Sequence, residues 1–260
     1  MAEEKIRQQR LFVEALKCAN GKLAVLKDFE LKVAPGETFA IVGRSGGGKS
    51  TLLRCLSLLQ QPEAGAAFLD GSQYLEHGQS LLPPWQIRKQ IVMVFQNYNL
   101  FPNMTAMRNI TLALEKVIRI TRAQAEERAH NVAKKLGIAE VLDRYPDSLS
   151  GGQAQRLALA RAMVLEPKVL LLDEITSGLD PETIINVVEA ITELRNADLS
   201  GSLSIVLVTH LMHFAADFAD RIGFIHDGKI HEELPAKSFF QDCKLPETKA
   251  FVSAFATSLI

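Results

Sequence analysis

Long hydrophobic runs are missing from this sequence. The longest, such as residues 169–172 and 205–208, are only a few residues long, whereas a helix that crosses a bilayer needs ~20 apolar residues. If the chain works at a membrane, another polypeptide must supply the spans. Cysteine is scarce as well. Cys18, Cys55 and Cys243 are widely spaced and odd in number, so they offer neither metal-ligand spacing nor a disulfide framework, which fits a reducing compartment. No excess of one charge exists: Lys+Arg 29 against Asp+Glu 30 leaves a formal net charge of -1. Bulk electrostatics therefore predicts no nucleic-acid partner. The opening Met1-Ala2-Glu3-Glu4-Lys5 carries acids with no apolar stretch behind them, unlike a secretory leader. Low-complexity tracts, long linkers and internal repeats are absent. What is present is 260 residues, 47% hydrophobic and 23% charged, ample for one large α/β domain with its own core.

The pattern starts as strand. Phe29, Leu31 and Val33 alternate with charged residues before Pro35-Gly36 turns the chain. Residues 38–42 read as a short strand, 50–59 as a helix and 91–95 as another strand. From about 105 to 167 the character is helical. Thr121 is a candidate N-cap, with Ala125, Ala129, Val132 and Leu136 on one face. Residues 169–172 form a continuous apolar run, as in a strand buried on both faces of a parallel sheet. Asp180-Pro181 opens a helix with Ile184, Ile185, Val188, Ile191 and Leu194 as its predicted core stripe. Residues 204–209 read as a strand, and Gly223–Ile230, with Asp227-Gly228 at its turn, as a hairpin. This order fits an α/β nucleotide-binding core interrupted by a helical insert.

Two motifs carry chemistry on physical grounds. Gly43-Arg44-Ser45-Gly46-Gly47-Gly48-Lys49-Ser50, followed by Thr51, matches a phosphate-binding loop with a strand before it and a helix after it. Its glycines let successive N–H groups point inward at phosphate oxygens, and the helix adds its N-terminal partial charge. Lys49 supplies a point charge for the β- and γ-phosphates, and the Ser50 hydroxyl can ligate Mg2+. Alone, this says only nucleoside triphosphate. The second motif is Asp173-Glu174 at the end of the buried 169–172 strand. In an open parallel sheet, ligands gather at that carboxyl edge. Asp173 is placed to hold Mg2+ through its water shell and Glu174 to polarise the attacking water.

Leu149-Ser150-Gly151-Gly152-Gln153 decides the family. It resembles the signature motif of ATP-binding-cassette (ABC) ATPases. Gln96, Ser177-Gly178-Leu179-Asp180 and His210 follow in that family's order, and the resemblance runs from about residue 11 to about 255. It implies a P-loop NTPase core of RecA-like type, with an N-terminal antiparallel β subdomain and an inserted α-helical signature subdomain. The extents expected are a core of about 1–96 and 168–235, an insert of about 97–167 and a helical tail of about 236–260. It further implies that a second copy of the chain closes around two ATP molecules. Ser150, Gly151, Gly152, Gln153 and Asp180 would then act across the dimer, and Glu174, His210 and Gln96 would serve hydrolysis. Gln96 would join Ser50 and Asp173 around Mg2+, and His210 would hold the γ-phosphate and water in line.

The chain departs from the family pattern at three places. Asn20 stands where an aromatic residue usually stacks on adenine, so that stacking is lost, weakened or supplied from elsewhere, with Phe12 a candidate. Ile175 replaces the common proline after the glutamate, and Leu211 follows His210 where an acid is frequent. The stretch from Gln96 to Thr105 is similar to the polar-amino-acid uptake branch, as are residues 215–222 and Phe239, Phe240 and Phe251. That likeness implies integral membrane permease subunits docking near residues 96–105. Leu100, Phe101 and Met104 would be partly exposed anchors. It also implies, indirectly, an extracytoplasmic substrate-binding protein, and a peripheral place on the cytoplasmic face of the inner membrane. No added regulatory domain is expected after the nucleotide domain. Rival readings are an exporter or lipoprotein-release ATPase and a soluble, non-transport ABC ATPase.

Overall fold

The computed structural model describes residues 6, 8–21, 23–197 and 203–257. In chain order, β1 (Leu11–Asn20), β2 (Leu23–Val33) and β3 (Thr38–Val42) lead through the glycine-rich loop into α1 (Lys49–Leu56). Next come β4 (Ala64–Leu69), β5 (Ser72–Glu76), β6 (Gln79–Ser80), the short α2 (Pro84–Arg88) and β7 (Ile91–Val94). The helical stretch holds α3 (Ala106–Ala113), a π-turn at Leu114–Ile118, α4 (Arg122–Lys135) and α5 (Gly151–Met163). The chain then alternates: β8 (Val169–Asp173), α6 (Pro181–Ala197), β9 (Ser204–Val208), α7 (Met212–Phe218), β10 (Arg221–His226), β11 (Lys229–Pro235), α8 (Ala236–Asp242) and α9 (Pro246–Thr257). The α1 helix is shorter than the 50–59 expected, because Leu58 turns to a left-handed φ of 54° and stops the helical hydrogen bonding.

Two compact units are formed: one by the described residues of Met1–Met93, Lys168–Glu174 and Ser202–Ile260, the other by those of Val94–Pro167 and Ile175–Gly201. The first unit contains an antiparallel sheet in the order β2-β1-β4-β5-β6 and a second sheet in the order β11-β10-β3-β9-β8-β7. In the second sheet β10–β3, β3–β9 and β8–β9 pair in parallel, and β11 closes one edge antiparallel to β10. Every residue of β3, β8 and β9 is buried, as their unbroken apolar runs require. The edge strand β11 alternates exposed and half-buried residues and carries charges, which discourages pairing with another chain. Lys27 pairs with Asp227, and Lys27 N–H donates to Gly228 O at 3.0 Å, fastening β2 to the β10–β11 turn.

In the second unit, α4 begins at Thr121. The Thr121 side chain accepts from Gln124 N–H while the Gln124 side chain accepts from Thr121 N–H, the reciprocal cap that supports an isolated helix start. Its buried face is Ala125, Ala129 and Ala133, so Ala133 takes the place expected for Val132, which is half-buried. The predicted stripe of α6 needs a larger correction. Ile185 is 57% exposed, and Val187, Ala190 and Ile191 are the buried residues, with Ile184 and Val188 half-buried. Leu194 lies outside the described side chains.

Candidate functional site

Strand register sets the geometry of the first unit. Ile41 of β3 and Asp173 of β8 both pair with Val208 of β9, and Val42 pairs with Phe224 of β10. The carboxyl ends of these parallel strands therefore lie level, where an open α/β sheet gathers its ligand. The glycine loop leaves β3 there, Asp173-Glu174 leaves β8, and His210 follows β9. The loop's path is fixed by close walls. A Cβ on Gly43 would stand 2.6 Å from Ile225 O, and one on Gly48 would stand 3.0 Å from Val25 O and 2.9 Å from its methyl. Gly48 also has a φ of 92°, which an L side chain resists. Lys49 is buried and its Nζ donates to Gly43 O at 2.9 Å and Arg44 O at 3.0 Å. Burial pulls its ammonium below the ordinary lysine value, and Glu174 and Asp173 oppose that pull.

Ser50 Oγ donates to Asp173 Oδ1 at 2.8 Å. Burial pushes the Asp173 carboxyl above its usual range; the Ser50 bond works against this, and the charge of Glu174 adds to it. A hydroxyl and a carboxylate side by side are hard oxygen donors of the kind Mg2+ takes, so the pair fits that ion. Glu174 has a left-handed φ of 49° while its N–H donates to Val208 O at 2.9 Å. Non-glycine residues held in this region cluster where a side chain must be aimed. Here the carboxylate meets His210, with Nε2 at 2.6 Å from Glu174 Oε1.

The second unit assembles a different set. Ser150 caps α5: its Oγ accepts from Gln153 N–H at 3.3 Å and Gln153 Oε1 accepts from Ser150 N–H at 3.0 Å. Gly152 is buried against the first turn of α6, where an added Cβ would stand 2.5 Å from Thr183 Cγ2. Thr183 in turn donates from its N–H and Oγ to the Asp180 carboxylate at 3.0 and 2.7 Å, and these bonds hold the Asp180 pKa below its usual value. Gly152 and Asp180 are thus brought together through Thr183. Gln96 is exposed and its Nε2 donates to Ser177 Oγ at 3.1 Å.

A model of the family described as ABC transporter matches residues 26–177. The chain belongs to the ABC transporter family. It is 42% identical over 233 residues to the glutamine transport ATP-binding protein GlnQ of Geobacillus stearothermophilus, covering 90% of this chain and 93% of that one. It is 39% identical over 240 residues to the arginine transport ATP-binding protein ArtM of Bacillus subtilis, covering 92% and 97%. The L-cystine transport system ATP-binding protein TcyN of Escherichia coli is 42% identical over 236 residues, covering 89% and 92%. Among solved structures, the dimeric post-hydrolysis state of the ATP-binding cassette MJ0796 bound to ADP and Pi superposes with a TM-score of 0.74 at 28% identity, covering 87% of this chain and 98% of that one. The fold is that of an ABC ATPase, an enzyme that hydrolyses ATP for transport.

Within this ABC ATPase, the residues that depart from the family pattern sit in ordinary local surroundings. Asn20 Oδ1 accepts from Gln60 Nε2 at 3.3 Å, and the same nitrogen lies 3.1 Å from Cys18 Sγ. Phe12 lies eight residues before Asn20 on β1, with its ring against Phe68 at 5.7 Å. Ile175 is buried at 1% exposure and Leu211 is 38% exposed. All three cysteines are buried and unpaired.

Residues 96–105 are scaffolded by side chains that sequence patterning does not single out. Arg161 of α5 donates to Tyr98 O at 2.8 Å and Asn99 O at 2.5 Å, holding two left-handed residues in place (φ 54° and 50°). Buried Asn109 accepts from Phe101 N–H at 2.8 Å and donates toward the carbonyls of Phe101, Met104 and Thr105 at 3.1 Å. Only an asparagine in the midst of an apolar helix face signals this role. Phe101 is 42% exposed and Leu100 and Met104 are half-buried. Beside them lies a groove of about 290 Å³ lined by Met104, Met107, Arg108, Arg122, Glu126 and Tyr145.

Proposed function

We propose that this chain energises an importer of polar amino acids, two copies working beneath two permease subunits. The observation that carries the catalytic half is the level strand edge that gathers Lys49, Ser50, Asp173, Glu174 and His210. In this reading the loop N–H groups and Lys49 bind the phosphates, with Gly43, Arg44, Ser45, Gly46, Gly47, Gly48 and Thr51 shaping the cradle. Glu174 accepts a proton from water as its oxygen attacks the γ-phosphorus, giving ADP and Pi. His210 orients the Glu174 carboxylate and then the γ-phosphate. Ser50 and Asp173, with Gln96, would hold Mg2+, which would supply positive charge to neutralise the phosphates. Ser150, Gly151, Gly152, Gln153 and Asp180 would meet the nucleotide of the second copy, so turnover requires the pair.

The importer half is supported by relatives that carry glutamine, arginine and cystine transport in their names and by the groove beside residues 96–105. Met104, Met107 and Tyr145 offer apolar surface and Arg108, Arg122 and Glu126 a charged rim, suited to a short amphipathic helix from a permease. Among the described residues no helix is long and apolar enough to cross a membrane. In this reading the chain sits peripherally on the cytoplasmic face, with a substrate-binding protein on the far side.

Affinity capture of the chain from solubilised native membranes tests the proposal. Recovery with a polytopic permease and its binding protein is the expected result; recovery from the soluble fraction alone would sink the transport reading. Glu174→Gln tests the chemistry separately. It should bind MgATP and dimerise while turnover falls by ~10²–10⁴, the usual worth of a general base; near-normal turnover would remove Glu174 from that role.

A further inference from the structure

An exposed apolar patch lies in the first unit, away from the strand edge. Leu81, Leu82, Pro83, Pro84 and Trp85 are exposed one after another, with Leu81 at 49%, Leu82 at 40% and Trp85 at 50%. Trp85 is the chain's single tryptophan. Its ring carries the Lys89 ammonium at 4.8 Å from the centroid. From α2, Arg88 reaches the end of α1, its Nε donating to Ser57 O at 3.3 Å and its Nη2 to Leu58 O at 2.6 Å. This places Leu59, 44% exposed, next to the same guanidinium.

Side chains this exposed are not core. Part of the backbone beneath them is already provided for. Leu81 N–H donates to Tyr74 O at 2.9 Å, Ser80 Oγ donates to Leu82 O at 2.6 Å, and Gln86 N–H donates to Pro83 O at 2.9 Å. Pro83 and Pro84 have no N–H at all. These bonds and the two prolines reduce the number of backbone polar groups that an apolar medium would strand, which is the dominant cost there. Leucine, tryptophan and flanking basic residues are the side chains that anchor at a lipid–water boundary, with the cations reaching the headgroups.

We propose that residues 81–89, with Leu59, form a contact surface for an anionic lipid membrane. Leu81, Leu82 and Trp85 enter the boundary between headgroups and acyl chains, and Arg88 and Lys89 meet the headgroup phosphates. The inference rests on the reading of this chain as a membrane-transporter subunit. It places lipid contact at the far end of the helix that begins with Lys49, joined to it by Arg88.

Trp85 reports on its own contact. The purified chain is mixed with vesicles of phosphatidylcholine alone or of phosphatidylcholine with phosphatidylglycerol, and tryptophan emission is recorded. A blue shift with the anionic vesicles only, reversed by salt, is the expected result. Leu81→Ser with Leu82→Ser keeps the reporter and should weaken vesicle binding at least about tenfold, because two leucines leave the apolar phase. No shift, a shift equal in the variant, or a shift confined to membranes that contain a permease would overturn the lipid contact; the last would assign the patch to a protein. ATP turnover measured on the same sample keeps the two readings apart: an active preparation that ignores vesicles defeats this inference alone.

Discussion

Gly152→Ala offers a quantitative test of how the signature segment is built. The new Cβ would stand 2.5 Å from Thr183 Cγ2, while Thr183 Cβ and Oγ1 would be 3.7 Å away. The clash is therefore with one methyl group. Thr183 cannot swing aside freely, because a β-branched side chain in a helix has few rotamers and its hydroxyl is bonded to Asp180 at 2.7 Å. Overpacking of this kind costs about 1–3 kcal/mol, and the gain from replacing a helical glycine is at most ~1 kcal/mol, less in a first turn. A net loss of about 1–2 kcal/mol follows, or a melting point lower by about 3–6 °C for a domain of this size. Thr183→Ser removes the methyl and keeps the hydroxyl. In that background Gly152→Ala should cost nothing beyond about 0.5 kcal/mol, a coupling of ~1–2 kcal/mol in the double-mutant cycle. Thermal unfolding of the four proteins measures it. Equal losses in both backgrounds would refute the contact.

Further outcomes follow from single residues. Lys49→Ala should weaken ATP binding ~10–100-fold, as loss of charged hydrogen bonds does; unchanged affinity in equilibrium titration would count against the cradle. Asn109→Ala removes the partner of the Phe101 N–H and of the Met104 carbonyl, while the Phe101 and Thr105 carbonyls keep backbone donors, at a cost of about 2–3 kcal/mol in unfolding free energy; a neutral result would mean the 101–105 segment is held by other contacts. Burial raises the Asp173 carboxyl pKa, so the folded chain keeps that proton to higher pH than the unfolded chain. Stability then falls as pH rises from the ordinary carboxylate pKa through the raised one, and the deficit is complete above it. Asp173→Asn should flatten that slope and leave the chain at least as stable at neutral pH, with lower ATP turnover. A steeper slope in the pH series would reverse the assignment.

The strands were legible because β3, β8 and β9 are buried on both faces, and burial on both faces demands an unbroken apolar run. The helix start at Thr121 was legible too, since a residue suited to capping stands just before the apolar face. Helix faces were read less well, for a common reason. Helical spacing placed Val132 and Ile185 on the buried faces, whereas Ala133 and Ala190 are the buried residues there; small side chains let packed helices approach closely. The nucleotide-loop residues could be named from spacing, but the supports could not. Arg161 on Tyr98 and Asn99, Val25 against Gly48 and Asn109 beneath Phe101 join residues that only the fold makes neighbours.

The walls around the glycines also set which evolutionary paths are open. At Gly152 the obstacle is a methyl group, so a change at Thr183 makes alanine admissible; its essentiality is conditional on a neighbour that can itself drift. At Gly43 and Gly48 the nearest obstacles include the carbonyl oxygens of Ile225 and Val25, which every amino acid carries. No second-site substitution removes a main-chain atom. A library randomised at Gly152 and Thr183 together should yield functional pairs, while one randomised at Gly43 with Ile225, or Gly48 with Val25, should return glycine whatever its companion.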